Sequence, residues 1–92
     1  MTDTNDPFIK LFKALSNEDR VKIISLLKEN GEMCAQEVEK HFFLEQSTTS
    51  HHLNTLKRAG ITKSRKKGRN IFYSIDYSSF RSMLDDFHRS IF

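Results

Sequence analysis

A stretch of thirty residues, from Gln46 to Ile75, places the strongest constraint on how this chain folds, because its hydrophobic period changes partway along it. The first part carries apolar residues on one face of a helix and stops at Ala59-Gly60, whereas the last part alternates as a strand does. The pattern predicts, in order, a helix at Gln46–Arg58, a strand at Ile61–Arg65, a glycine-containing turn at Lys66–Arg69 and a strand at Asn70–Ile75.

The rest of the chain predicts four more helices and one short extended piece. The helices are expected at Asp6–Leu15, from Ser16 to Asn30, at Ala35–Phe42 and at Tyr77–Ser90, with the extended piece at Glu32–Cys34. Ser16 followed by Asp19 resembles an N-cap with an acidic residue three positions on, and Gly31 suits the left-handed conformation that ends many helices. The two short helices on either side of the turn at 43–46 predict a helix-turn-helix.

These elements predict a mainly α fold with a small β-hairpin, the winged helix-turn-helix, in the order α1-α2-β1-α3-α4-β2-β3-α5. A length of 92 residues suits a single domain with a thin core, in which residues 1–5 form a disordered tail. The chain has no signal-peptide pattern and no apolar run long enough to span a membrane. We therefore expect no membrane contact and a cytoplasmic location.

The positive charge of the chain is concentrated in the same thirty residues. This segment contains no Asp or Glu and has seven Lys or Arg residues, which leaves eight positive residues and all twelve acidic ones elsewhere, a net charge of −4. Such segregation suits a surface that binds phosphates, although a solvated basic face is the simpler alternative if charge is considered alone.

The helix predicted at Gln46–Arg58 has two distinct faces. Thr49, His52, Leu53 and Leu56 fall on the inner side, and the opposite side carries short hydrogen-bonding groups that match base edges in a major groove. Cations at the helix end and in the hairpin are placed to reach phosphates. The predicted DNA-binding residues are Gln46, Ser47, Thr48, Ser50, His51, Asn54, Lys57, Lys66, Lys67 and Arg69. The Ser and Thr residues have a simpler alternative role as local caps.

No metal site or cofactor is predicted. His51 and His52 are adjacent, so on a helix they point about 100° apart and do not chelate one ion easily. Asp85, Asp86 and His88 are explained by a solvated helix face. Cys34, the single cysteine, has three interpretations, which are a small core residue, a redox-responsive thiol or one ligand of an incomplete site; the first is favoured.

Four motifs in order resemble the ArsR/SmtB family of bacterial regulators, the arsenical-resistance-repressor type. They are Leu11-Phe12-Lys13-Ala14-Leu15-Ser16-Asn17-Glu18-Asp19-Arg20, Gln46-Ser47-Thr48-Thr49-Ser50-His51-His52-Leu53, Leu56-Lys57-Arg58-Ala59-Gly60-Ile61 and Lys67-Gly68-Arg69-Asn70-Ile71-Phe72-Tyr73-Ser74-Ile75. The resemblance runs from Phe8 to Phe92, nearly the whole chain.

The resemblance implies a homodimer, a winged fold and repression by occupation of a palindromic operator. It also implies that Gln46, Ser47, Ser50 and His51 contact base edges, and that the hairpin cations meet the DNA backbone or minor groove. The dimer would join through the first and last helices, both of which carry apolar stripes. The predicted interface residues are Phe8, Leu11, Phe12, Phe80, Leu84, Phe87 and Ile91.

Several positions depart from the family pattern. Phe43 stands where many members have glycine in the turn, and Glu45 where many have a capping serine. The Cys-x-Cys pair of arsenic sensors is reduced to Cys34, and Tyr77 and Ser79 stand where zinc sensors have Asp-x-His. Neither metal site is intact, so whether an effector of metal, redox or small-molecule type exists stays open.

The sequence therefore predicts a sequence-specific DNA-binding regulator, with a repressor as the leading hypothesis. The rival is a protein-interaction module in which the winged helix is a docking platform without specific DNA readout. An enzyme is not expected, because no nucleophile with an adjacent base and no complete metal constellation is found.

Overall fold

A computed structural model describes residues 6–91 of the chain. The residues predicted to form a disordered tail, 1–5, lie outside the described residues. Five helices and three strands follow one another in the predicted order. They are α1 Pro7–Leu15, α2 Glu18–Asn30, β1 Glu32–Cys34, α3 Ala35–Phe42, α4 Gln46–Arg58, β2 Thr62–Lys67, β3 Asn70–Ile75 and α5 Tyr77–Ile91. No helix within residues 6–91 has the length and apolar character needed to cross a membrane.

The boundary between α1 and α2 differs from the prediction by one residue. Asn17, not Ser16, caps α2, because its side-chain oxygen accepts from the backbone N–H of Arg20 at 3.0 Å. Ser16 ends α1 instead, and its hydroxyl donates to the carbonyl of Phe12 at 2.6 Å. Both residue types form caps, so only the backbone conformation distinguishes them. Gly31, with a φ of 82°, ends α2 as predicted.

The three strands form one antiparallel sheet in the order β1-β3-β2. The hairpin is longer than predicted, since β2 continues to Lys67, which pairs with Asn70. The turn is therefore Gly68-Arg69, and the prediction that Lys66 and Lys67 lie in the turn is wrong. Two-residue turns favour positive φ, and Gly68 has a φ of 63°. The second strand, Asn70–Ile75, has the predicted bounds.

A single apolar core joins α1, α2, α3 and α4 to the base of the sheet. Its largest fully buried side chains are Leu11, Ile23, Leu27, Val38, Thr49, Leu53, Leu56 and Ile61. The assignment of Leu11 to a dimer interface is wrong, because this side chain has no accessible surface in the single chain. A helical stripe predicts the apolar face of α1, but it does not separate the residue at the centre of the face from those at its edge.

The last helix packs on the domain without burying any side chain fully. Phe87 contacts α1 through Phe8 and Phe12, with ring centroids 5.3 and 4.6 Å apart in edge-to-face geometry. Leu84 and Ile91 are 40% and 55% exposed, and no residue between Tyr77 and Ile91 is classed as buried. An amphipathic helix with its apolar face half covered has surface available for a further contact.

Candidate nucleic-acid interface

The orientation of α4 is fixed by the four residues predicted to face inward. Thr49, His52, Leu53 and Leu56 are all buried, and together they attach the helix to α2 and to the core. Residues on the opposite face of a helix must then point to solvent. This confirms the predicted division of α4 into two faces.

The outer face of α4 carries the predicted base-reading residues. Gln46, Ser47, His51 and Asn54 are exposed, as is Lys57 near the end of the helix. Thr48 and Ser50 are partly buried at the edges of this face. Gln46, Ser47, His51 and Asn54 expose amide, hydroxyl and imidazole groups, whose donors and acceptors can match those of base edges in a major groove.

The hairpin β2-β3, called the wing below, adds positive charge beside this helix. Lys66 and Lys67 on β2 and Arg69 in the turn are all exposed, and none of the three forms a salt bridge with another residue in the range 6–91. The wing therefore presents three cations to solvent, which suits contact with phosphates.

Arg65 belongs to the same basic segment but is paired within the chain. Its guanidinium donates from Nε to Oε2 of Glu32 at 2.7 Å and from Nη2 to Oε1 at 2.8 Å. These hydrogen bonds lower the pKa of Glu32 and raise the pKa of Arg65, so both groups are charged at neutral pH. Glu32 lies on β1 and Arg65 on β2, so the pair connects the two outer strands across β3.

A cleft of about 310 Å³ joins the outer face of α4 to the wing. Gln46 and Ser50 of α4 line it together with Arg69 of the wing, which brings three of the predicted DNA-binding residues to one depression. Gln36 of α3 and Asn70 of β3 line the same cleft. Sequence reasoning missed both residues, although Gln36 occupies the second position of the first helix of the helix-turn-helix, where polar groups face the DNA backbone in this motif.

The turn before α4 has two unusual features at the positions where the sequence departs from the family pattern. Phe43 adopts the left-handed conformation, with φ 55° and ψ 34°, and its side chain is 93% exposed. Within residues 6–91 it is the one non-glycine residue with positive φ. Glu45 occupies the N-cap of α4 without a side-chain capping bond, so its carboxylate acts through its charge at the positive helix end.

His52 makes polar contacts that connect α4 to the first turn of α2. Its Nδ1 lies 3.2 Å from Nη1 of Arg20, and its Nε2 lies 3.9 Å from Oδ2 of Asp19. Burial lowers the pKa of His52 below 6.5, the Arg20 charge lowers it further, and the Asp19 charge opposes this change. His52 is therefore neutral at pH 7.

Cys34 is a buried free thiol at the N-cap of α3 and lines the same cleft as Gln46. Its backbone N–H donates to Oε1 of Glu37 at 3.1 Å, and this hydrogen bond lowers the pKa of that carboxyl. In the part of the chain that the structure describes, no three His, Cys, Asp or Glu residues are grouped to hold a metal. Asp85 and Asp86 are paired on the surface of α5 with Arg81 and Arg89, respectively.

Comparison with known proteins identifies relatives over most of the chain. The model of the family described as "Bacterial regulatory protein, arsR family" matches residues 17–64. A cadmium resistance transcriptional regulatory protein CadC homolog from Staphylococcus aureus is 41% identical over 76 residues, covering 83% of this chain and 63% of the relative. The transcriptional repressor SdpR from Bacillus subtilis is 42% identical over 66 residues, covering 72% of each chain.

Among solved structures, the homodimeric winged helix-turn-helix DNA-binding domain of a Mycobacterium bovis protein superimposes on this chain with a TM-score of 0.75. The two chains are 22% identical, and the match covers 99% of this chain and 90% of that domain. This similarity confirms the winged helix-turn-helix fold predicted from the sequence.

Proposed function

The chain belongs to the arsR family of bacterial regulatory proteins and is a DNA-binding transcriptional regulator, and we propose that it is a homodimeric repressor that binds a palindromic operator. The observation that carries this proposal is the cleft in which Gln46 and Ser50 of α4 meet Arg69 of the wing. Groups suited to reading base edges and a cation suited to binding phosphate thus line one cleft. A regulatory role accounts for these residues without any catalytic step.

In the proposed complex, α4 enters the major groove and the wing follows the adjacent backbone. The exposed residues Gln46, Ser47, His51 and Asn54 would contact base edges, with Thr48 and Ser50 at the margins of the contact. Lys57, Lys66, Lys67 and Arg69 would neutralise phosphates. Gln36 and Asn70, which line the same cleft, would contact the backbone between these two sets.

The proposed dimer forms through α1 and α5. Phe12, Leu84 and Ile91 keep large apolar areas exposed, and Phe8, Phe80 and Phe87 are partly covered. We propose that a second copy of the chain covers this surface, and the structurally similar Mycobacterium bovis domain is itself homodimeric. Two copies related by a twofold axis would place two α4 helices in successive major grooves, about 34 to 36 Å apart.

The test is selection of bound sequences from a pool of random DNA duplexes, followed by titration of the selected duplex at several salt concentrations. We expect a palindrome, and affinity that falls with a slope of about 0.9 decades per decade of salt for each phosphate neutralised. Two results together would favour a protein-docking module instead. The selection would yield no preferred sequence, and the chain would bind a protein partner even after the wing cations are removed. We also propose a cytoplasmic location, where a DNA-binding regulator of this family would meet its operator.

A further inference from the structure

The side chain of Arg20 links three helices of the domain. It lies in the first turn of α2, and its Nε donates to the carbonyl of Ala14 at 2.7 Å while its Nη2 donates to the carbonyl of Lys13 at 3.1 Å. Both carbonyls belong to the last turn of α1, where carbonyls lack the usual i+4 N–H donor; the carbonyl of Lys13 also accepts from the backbone N–H of Ser16 at 3.2 Å. Arg20 therefore fixes the end of α1 against the start of α2.

The third contact of Arg20 reaches α4. Nη1 of Arg20 lies 3.2 Å from Nδ1 of His52, whose side chain is buried on the inner face of α4. A guanidinium has no acceptor, so this contact is a hydrogen bond only when Nδ1 is unprotonated and accepts. The proton of the neutral ring must then sit on Nε2, which faces Oδ2 of Asp19 at 3.9 Å. Protonation of Nδ1, in the other tautomer or in the imidazolium, would therefore remove this hydrogen bond.

The charged groups around His52 determine what protonation does. From α2 it meets the cation of Arg20 and the carboxylate of Asp19, from its own helix it meets His51, and α1 contributes the carbonyls that hold Arg20. A second proton would remove the acceptor at Nδ1 and place two cations next to each other. Asp19 is the more distant partner and compensates only in part, since burial and Arg20 together lower the pKa of His52.

We propose that Arg20 and His52 are positioning residues for α4, which hold its DNA-reading face in place while His52 is neutral and release it on acidification. His52 follows His51 directly and lies two residues after Ser50, so a displacement of its ring is transmitted to both of these outer residues. The proposal rests on the proposed function, because the outcome of release is weaker binding to the operator. It adds a pH-dependent step to that binding.

The direction of the pH effect follows from linkage. The pKa of His52 in the folded protein lies below 6.5, the value of the unfolded chain, so the unfolded chain binds the proton first as pH falls. The contribution of the pair to stability is complete above pH 6.5 and is lost as pH falls toward the folded pKa. If only the neutral form holds α4 in place, operator affinity falls by up to tenfold for each pH unit below that pKa.

Two experiments test the proposal. The first measures the ¹⁵N shifts of the histidine rings of the full chain by NMR without DNA, and we expect His52 as the Nε2–H tautomer at pH 7.5. The second compares affinity for the selected duplex between pH 7.5 and 5.5 in wild type, His52→Asn and the control His41→Asn. Asparagine places an amide oxygen near the position of Nδ1 and does not titrate in this range, whereas His41 is exposed on α3 and lies outside the pair.

We expect His52→Asn to bind almost as well as wild type at pH 7.5 and to lose less affinity on acidification, while His41→Asn behaves as wild type. A His52 ring protonated on Nδ1 at pH 7.5, or an equal loss of affinity in wild type and His52→Asn, would overturn the proposal. If no duplex is bound specifically, the proposed function fails, and the tautomer still tests the pair. If His52→Asn does not fold, Arg20→Lys replaces it, because lysine keeps the positive charge but lacks the several donors of the guanidinium. An Arg20→Lys variant with the affinity and pH dependence of wild type would also overturn the proposal.

Discussion

Arg65 and Glu32 are joined by two hydrogen bonds across β3, with 2.7 Å between Nε and Oε2 and 2.8 Å between Nη2 and Oε1. The two residues come from distant parts of the sequence. Because Arg65 is paired with Glu32, it is less free to bind a phosphate than the unpaired cations of the wing. The pair also connects β2 of the wing to β1. The chain thereby contains an internal control for the role of charge in DNA binding.

The first prediction compares cations within the wing. Lys67→Ala or Arg69→Ala should reduce the salt slope of operator binding by about 0.9 each, because each removes one phosphate contact, and should leave the preferred sequence unchanged. Arg65→Ala should leave the slope nearly unchanged, because Arg65 is already paired with Glu32. Titration of the selected duplex from low to high salt measures this. The same reduction in all three variants would mean that charge, rather than position, governs binding.

The second prediction concerns base readout by α4. Gln46→Ala or His51→Ala should cost about 1 to 3 kcal/mol on the selected duplex and relax the sequence preference, because each removes a group that faces base edges. Lys22→Ala, an exposed residue of α2 outside the interface, serves as the matched control. Affinities on selected and random duplexes give the result, and an equal loss on both would reject the role in base readout.

The third prediction concerns the strained turn before α4. Phe43→Gly should raise the free energy of unfolding by about 0.5 to 1 kcal/mol, because glycine relieves a left-handed strain of roughly 1 to 2 kcal/mol, and the greater entropy of glycine in the unfolded chain offsets only part of this gain. The substitution removes little packing, since Phe43 is 93% exposed. Urea unfolding measures the change, with Phe42→Gly as a destabilising comparison. Destabilisation by Phe43→Gly would mean that the ring has a packing role.

The fourth prediction concerns the dimer. Leu84→Asp should shift the protein toward monomer without unfolding it, because Leu84 is 40% exposed on the face of α5 that is assigned to the partner. Val21→Asp places the same charge at an exposed apolar site on α2, with 46% exposure, and should leave the dimer intact. Sedimentation equilibrium with a circular dichroism check distinguishes them. An unchanged association state in Leu84→Asp would exclude this interface.

The sequence predicted the order of the elements because the helices and the hairpin strands carry local periods, whereas β1, with three residues, was predicted only as a short extended piece. It also predicted the two faces of α4, since Thr49, His52, Leu53 and Leu56 lie at helical spacing and all four are buried. The cap of α2 was displaced by one residue because Ser16 and Asn17 have similar capping ability, and the choice depends on how α1 ends.

Features that depend on distant residues were not predictable in this way. The pairing of Glu32 with Arg65 requires the strand order β1-β3-β2, which no local pattern specifies. Arg20 was visible only as part of a motif, and its role depends on where α1 ends and α4 packs. Leu11 was assigned to the interface because its stripe continues to the surface, whereas the core occupies the centre of that stripe.

The most direct test of the central claim is the affinity of the protein for duplexes in which the two half-sites of the selected palindrome are moved apart. Two copies of α4 and the wing presented along one duplex predict tight binding at the selected spacing, a large loss when about 5 base pairs are inserted, and recovery when about 10 are inserted. Affinity that does not depend on spacing, or equals that for a single half-site, would contradict the account.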